Sequence, residues 1–372
     1  MKNALNNSDK TVLVGLSGGL DSTISALLLQ QQGYNVIGVH FQLWHDDKTD
    51  KSKKNLPENK CCSLRDLMLA RTVAEQLDIP FYVFDFRERF KRDIVDHFIN
   101  GFKNGITPNP CVECNRSIKF GYFLEKMEEL GCDFVATGHY IKNEFNSEKN
   151  RWEISGGKDV HKDQTYFLYT LTQEKLKHAL FPMAPYSKDR IRKIAEENNF
   201  KSFAQKRESQ GVCFYAERSH IPFLERHIPE AFVSGDIIDI HTQKKVGTHN
   251  GVLNFTKGQR ARVGGMITPK YVIKIDTEKN IVFIGDNSDL FSENVEVFNL
   301  SWTMSELENN SEIFVKIRHG GESMKAKFEY TNTEKTEAKL LFKNPVRSLT
   351  SGQSAVFYTL ENNLLLGGGI MK

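Results

Sequence analysis

Gly15-Leu16-Ser17-Gly18-Gly19-Leu20-Asp21-Ser22 separates a short apolar run at 11–16 from a densely apolar stretch at 22–32 that stops at Gly33. A strand, a glycine turn and a buried helix follow from that pattern. Backbone N–H groups of such a turn, together with the helix N-terminus, face an anion. The Gly-Lys-Ser/Thr ending of a Walker loop is absent, and the glycine spacing does not fit the dinucleotide fingerprint. Paired glycines flanked by Ser17 and Ser22, with Asp21 between, suit a whole pyrophosphate leaving after attack at the α-phosphate. The plainer alternative is a tight turn with no ligand.

The sequence around the loop repeats the same grammar. Strands are predicted at 35–41, 81–85 and 134–137, and helices at 64–77, 89–102 and 117–130, with a charged solvated loop at 46–60. This β-then-α order predicts a doubly wound parallel sheet with helices on both faces. A further helix is expected at 188–198. Beyond about residue 225 the runs become short and alternating, at 237–240, 271–276, 281–285, 313–318, 324–330, 338–342, 355–359 and 364–366, which marks small β domains. The turn-rich, acidic stretch 286–294 separates two of them. Three domains are expected: 1–222 catalytic, 223–290 central and β-rich, and 291–372 a C-terminal β-barrel.

The chain has 372 residues, 39% hydrophobic and 26% charged, a balance that excludes disordered, collagenous and membrane-spanning classes. Lys plus Arg number 50 against 47 Asp plus Glu, a net charge of +3, so no global basic field advertises nucleic acid. The first ten residues are polar, with neither an apolar signal core nor an Arg-rich presequence, and a cytoplasmic location is expected. Six cysteines are too few to staple a fold of this length and should be thiols in a reducing compartment.

Thr107-Pro108-Asn109-Pro110-Cys111-Val112-Glu113-Cys114-Asn115 reads as a rigid loop entering the helix predicted at 117. A thiol just ahead of a helix N-terminus should have a lowered pKa, which makes Cys114 a candidate nucleophile. A second thiol stands in Ser209-Gln210-Gly211-Val212-Cys213-Phe214. Against these readings, Cys213 could be a small buried hydrophobe, and Cys111 with Cys114 half of a zinc or iron–sulfur site, with Cys61 and Cys62 as further ligands.

The loop Ser-Gly-Gly-Leu-Asp-Ser resembles the PP-loop of the ATP pyrophosphatase superfamily, which shares the adenine nucleotide alpha hydrolase-like fold and makes AMP a leaving group. Further islands narrow the resemblance: residues 107–120 (TPNPCVECNRSIKF), Thr137-Gly138-His139-Tyr140, 162–169 (KDQTYFLY), 209–214, Gly258-Gln259-Arg260, 352–358 (GQSAVFY) and Gly367-Gly368-Gly369. In that order they are similar to the tRNA-specific 2-thiouridylases, across the whole chain. The resemblance implies Cys114 as nucleophile and Cys213 as the persulfide carrier, joined in a transient disulfide. It implies ATP bound by Gly15, Leu16, Ser17, Gly18, Gly19, Leu20, Asp21, Ser22, Phe41 and Gly138, with Mg²⁺ shielding the phosphates. It also implies that Asn109, Pro110 and Cys111 approach the wobble uridine of the tRNA anticodon loop, and that His139, Lys162, Asp163, Gln164, Arg318, His319 and Gln353 touch tRNA. A persulfide donor (a cysteine desulfurase or relay protein) and a cellular thiol reductant follow as partners.

Two departures stand out. Some members have aspartate at the position of Cys111, and a Tyr-Arg pair is common where this chain has Arg318-His319. A basic run (Lys188, Arg190, Arg192, Lys193, Lys201, Lys206, Arg207) suits tRNA phosphates or an ordinary solvated face. Two other classes compete: an ATP-dependent ligase with an amine nucleophile, which needs neither thiol, and a non-enzymatic metal-bearing RNA-binding protein.

Overall fold

Strands β1 (Thr11–Gly15), β2 (Asn35–Gln42), β3 (Phe81–Asp85), β4 (Phe134–Ala136) and β7 (Ala179–Leu180) pair in parallel in the order β3-β2-β1-β4-β7. A computed structural model supplies this architecture and describes residues 7–48, 63–206, 211–217, 219–264 and 268–372. β1 is central, and Val12, Leu13 and Val14 are fully buried, as expected for a strand covered on both faces. From β1 the chain first builds outward through β2 and β3, then crosses to β4 on the other side. The order therefore reverses between β1 and β4, which opens a crevice at their carboxyl ends.

Helix α1 (Leu20–Gln31) follows β1 directly, and α2 (Leu64–Leu77) begins at Ser63, whose hydroxyl accepts from Asp66 N at 3.0 Å. Two long helical runs, α3 over 87–103 and α4 over 110–129, each contain a wider-wound stretch, Lys91–Asp96 and Asn115–Tyr122. Helices α5 (Lys188–Glu197) and α6 (Ile221–His227) complete the set used below. A hairpin of β5 (Ile141–Asn146) and β6 (Arg151–Gly156) stands beside the sheet; it was not expected from its polar sequence.

The β-rich half matches the expected class. β8 (Ser234–Asp239), β9 (Lys245–Asn250), β10 (Arg260–Ala261), β11 (Lys270–Asp276) and β12 (Ile281–Gly285) form one sheet. β13 (Phe291–Trp302), β14 (Ser311–Lys316), β15 (Met324–Tyr330), β16 (Glu337–Arg347), β17 (Ser354–Tyr358) and β18 (Leu365–Met371) close into a barrel. β13 starts inside the stretch expected to be a boundary turn.

The barrel is bolted to the α/β layer. Tyr166 donates its hydroxyl to Ser354 O (3.0 Å), Thr303 Oγ1 donates to Tyr169 O (3.1 Å), and the hydroxyls of Thr165 and Tyr358 lie 3.1 Å apart. Among the described residues no helix is long and apolar enough to cross a membrane.

Candidate active site

All ten residues expected to bind nucleotide gather at the crevice. Leu16 N donates to Val39 O at 2.7 Å, anchoring the loop start to β2, and a ring nitrogen of His40 lies 2.9 Å from Leu16 O. Ser22 Oγ lies 3.1 Å from Ser17 Oγ, accepts from Ser17 N (3.2 Å) and donates to Gly19 O (3.0 Å), so the two serines shape the turn through each other.

Gly18 has φ +69°, and a Cβ there would sit 2.6 Å from Asp66 O. Gly138 closes the crevice from β4; its missing Cβ would lie 2.9 Å from Asp21 Cβ. Phe41 packs edge-on against Phe123, with centroids 4.8 Å apart. The amides of Gly18, Gly19, Leu20 and Asp21 meet no acceptor among the described residues. They leave a cluster of N–H groups at a helix N-terminus, as an anion site requires.

Asp21 is neutralised from outside the loop. Its carboxylate accepts from Tyr140 (2.7 Å) and from Lys188 Nζ (2.7 and 2.8 Å), and Lys188 is only 6% exposed. Neither reading of the basic run, tRNA phosphates or an ordinary solvated face, describes this lysine. Lys188 and Lys206 turn into the loop, while Arg190 and Arg192 pair with Glu197 and Asp189. Arg207 lies outside the described residues, as do Cys61, Cys62, Ser209, Gln210 and the charged loop beyond residue 48.

The thiols require a second correction. Asn109 caps the helix by accepting from Val112 N (3.4 Å), and Pro110 occupies the first turn, so α4 begins seven residues earlier than the predicted 117. Cys111 sits in the first turn. Cys114 is already in the second, 8% exposed, within an apolar cluster of Leu43, Trp44, Phe86, Phe90 and Ile118. Burial pushes its thiol up to about 12, against the pull of the Lys119 ammonium, and pushes Cys111 up to about 11. The expected lowering is therefore absent, because desolvation outweighs the helix end.

Cys213 packs on the same cluster, and its charge adds to the upward shift of both other thiols. All three are free thiols. The fully buried Phe214 seats the Cys213 segment against Phe98 (5.1 Å) and Phe223 (5.2 Å). Glu217 ion-pairs with Arg226, whose guanidinium also donates to the buried Asp46 at 2.9 Å. Among the described residues, the side chains drawn together closely enough to hold a metal are His241, Asp286 and Asp289 in the central sheet, not the cysteines.

The residues expected to touch RNA fall into two groups and one exception. In the first group, a ring nitrogen of His319 lies 3.2 Å from Asp163 O and its ring stacks on Phe167 (4.5 Å), which brings Arg318 beside 162–164. Asp163 also accepts from Thr165 and Lys316, and Gln164 Oε1 accepts from Tyr140 N. In the second, Gln353 donates to Thr107 O at 2.9 Å, placing it behind Asn109, Pro110 and Cys111.

His139 is the exception. It is 6% exposed, hydrogen-bonded to Thr137 Oγ1 (2.7 Å), wedged between Phe120 and Phe181, and held neutral by burial. It is a largely interior residue in this structure. Tyr140 and Lys188, which do hold the loop, were missed as site residues. Tyr140 was visible only as part of a motif, and Lys188 only as one charge in a run.

Three families match in succession: "tRNA methyl transferase HUP domain" over residues 10–217, "tRNA methyl transferase PRC-barrel domain" over 221–286, and "Aminomethyltransferase beta-barrel domain" over 292–371. The chain is similar to the tRNA-specific 2-thiouridylase MnmA 1 of Caldanaerobacter subterraneus subsp. tengcongensis, 40% identical over 97% of each chain. It is also 40% identical to the tRNA-specific 2-thiouridylase MnmA of Clostridium acetobutylicum, over 98% of this chain and 100% of that one. Among solved structures, a 4-thiouridine synthetase–RNA complex with bound ATP covers 60% of this chain and 51% of its own, with 14% identity and a TM-score of 0.38.

Proposed function

The chain belongs to the tRNA-specific 2-thiouridylase family, and from that we propose that it replaces the 2-oxygen of the wobble uridine of tRNA with sulfur at the expense of ATP. The observation that supports this reading best is the convergence of Cys114 and Cys213, far apart in sequence, on one apolar cluster that Phe41 of the crevice also joins.

Uracil's 2-carbonyl is a poor electrophile with a poor leaving group. Attack of its oxygen on the α-phosphorus of ATP forms an O–P bond as the bond to the β-phosphate breaks, and AMP then becomes the group to expel. The free amides at the start of α1 are oriented for the phosphates. The carboxylates beside the loop, Asp21 and Asp66, are each held by a lysine, so Mg²⁺ would ride on the phosphates and shield their charge.

The terminal sulfur of a Cys213 persulfide adds to C2, and AMP leaves with the electron pair of the C2–O bond. Cys114 then attacks the inner sulfur. The sulfur–sulfur bond breaks, its pair stays on the 2-thiouridine sulfur, and a Cys114–Cys213 disulfide remains. A thiol reductant returns two electrons before the next turnover. Release of hydrogen sulfide by Cys114 ahead of addition ends in the same disulfide.

Burial keeps the resting Cys111 and Cys114 thiols protonated, so substrate binding must rearrange their surroundings before Cys114 acts. The anticodon loop is single-stranded, and extruding its base costs less than opening a duplex. Domains at 1–222, 223–290 and 291–372 would divide these tasks: activation and sulfur transfer in the first, support and RNA docking in the others.

The test is incubation with ATP, Mg²⁺, a persulfide source and unmodified tRNA, followed by nucleoside mass analysis. Uridine should gain sulfur with the native chain. Cys114→Ser and Cys213→Ser should abolish that gain while pyrophosphate release from ATP and tRNA persists. Full thiolation by either variant would exclude the mechanism, and no sulfur gained by the native chain would exclude the function.

A further inference from the structure

The loop between β1 and α1 lacks a lysine in its own sequence, yet the fold brings two ammonium groups to it. Lys188 is occupied by Asp21 in a part-buried pair. Lys206 is placed differently: its Nζ donates to the carbonyl oxygen of Gly18 at 3.0 Å and to Asp66 Oδ1 at 2.9 Å. Gly18 is the residue whose positive φ makes the apex of the turn, and the unpartnered amides begin there. The Lys206 side chain keeps about a third of its surface exposed, against 7% for Lys188.

We propose that Lys206 is the phosphate-binding lysine of this site, delivered from the segment after α5, and that it contacts the β- and γ-phosphates of ATP. This rests on the reading of the loop as an ATP site. ATP carries about four negative charges, whereas a helix N-terminus offers only about half a positive one. When the uracil O2–P bond forms and the bond to the β-phosphate breaks, the electron pair departs on pyrophosphate, the uracil N3 proton goes to solvent, and no oxidation state changes. A cation beside the departing oxygens stabilises that transition state, the task a Walker lysine performs from within its own loop.

Asp66 serves as the resting counter-ion. It is itself held by Ser63 at the start of α2 (2.8 Å), and it keeps Lys206 at the apex until phosphate competes for it. An ammonium has three N–H donors and two are engaged, which leaves one for an incoming oxygen before either existing contact breaks.

The experiment uses the full chain with MgATP, AMP and pyrophosphate as separate titrants, and measures pyrophosphate release with unmodified tRNA. Lys206→Ala should weaken ATP and pyrophosphate binding and slow pyrophosphate release by roughly a hundredfold. Its affinity for AMP, which has no β-phosphate, should stay unchanged, and that retained affinity also reports a folded site. Lys206→Arg should recover part of the loss because it keeps the charge.

If ATP and AMP weaken in parallel, Lys206 merely braces Gly18 and the proposal is overturned; if neither changes, it is overturned as well. If the native chain binds AMP and ATP with equal affinity and releases no pyrophosphate, the reading of the loop itself fails and the lysine's role falls with it.

Discussion

Cys114 is a poor nucleophile in the resting structure. A thiol shifted to about 12 by burial is almost wholly protonated at neutral pH, and its thiolate fraction climbs tenfold per pH unit until that value is reached. Alkylation of Cys114 and of Cys111, followed by peptide mass analysis, should therefore accelerate continuously from pH 7 to 10, where an unperturbed cysteine levels off above about 8.5. A plateau below pH 9 would mean that the thiolates are preformed. Residue type and spacing were enough to single out both cysteines. What covers them could not be read, because Leu43, Trp44, Phe86 and Phe90 come from segments remote from the Cys-x-x-Cys motif. The burial of His139 was hidden for the same reason: its position at a strand end was legible, but the rings of Phe120 and Phe181 that enclose it were not.

The crevice depends on how closely β4 approaches α1. Gly138→Ala would drive a methyl group to 2.9 Å from Asp21 Cβ and 3.1 Å from the Asp21 carbonyl carbon, and the backbone there cannot give way cheaply. A loss of roughly 1–3 kcal/mol is expected, read as a lower urea midpoint at unchanged slope, together with weaker ATP binding. An unchanged midpoint would show that the crevice is looser than described. Elements with a clear apolar rhythm were legible to the residue, among them Leu64–Leu77, Phe81–Asp85, Ile281–Gly285 and Met324–Tyr330. The β5–β6 hairpin was not, since it is mostly polar and is held by two buried isoleucines, Ile141 and Ile154, and by Gln173 bonding both backbone groups of Trp152. The early start of α4 was signalled by Asn109-Pro110, a capping residue followed by a first-turn proline, which a proline-rich context disguised as loop.

The molecule as a whole buries groups that would rather ionise in alkali. Burial raises Cys111 and Cys114, raises Tyr215 to about 12, and raises Tyr166 and Tyr358 at the barrel junction. In the unfolded chain the thiols lose their protons from about pH 8.5 and the phenols from about 10, while in the fold they do not. The unfolded state then binds fewer protons, so stability falls as pH rises, by about 1.4 kcal/mol per pH unit for each such group. Urea midpoints between pH 8 and 10.5 should decline accordingly, and Cys111→Ala should flatten the slope; a flat native profile would contradict the burial. The Asp21–Lys188 pair has a different consequence, in time. It joins positions 167 apart in the chain, and loop-closure entropy delays a contact of that span until β4 and β7 have docked beside β1. On refolding from denaturant, helical ellipticity should therefore return first, and a chain already rich in helix would remain blind to nucleotide until its slowest phase is over.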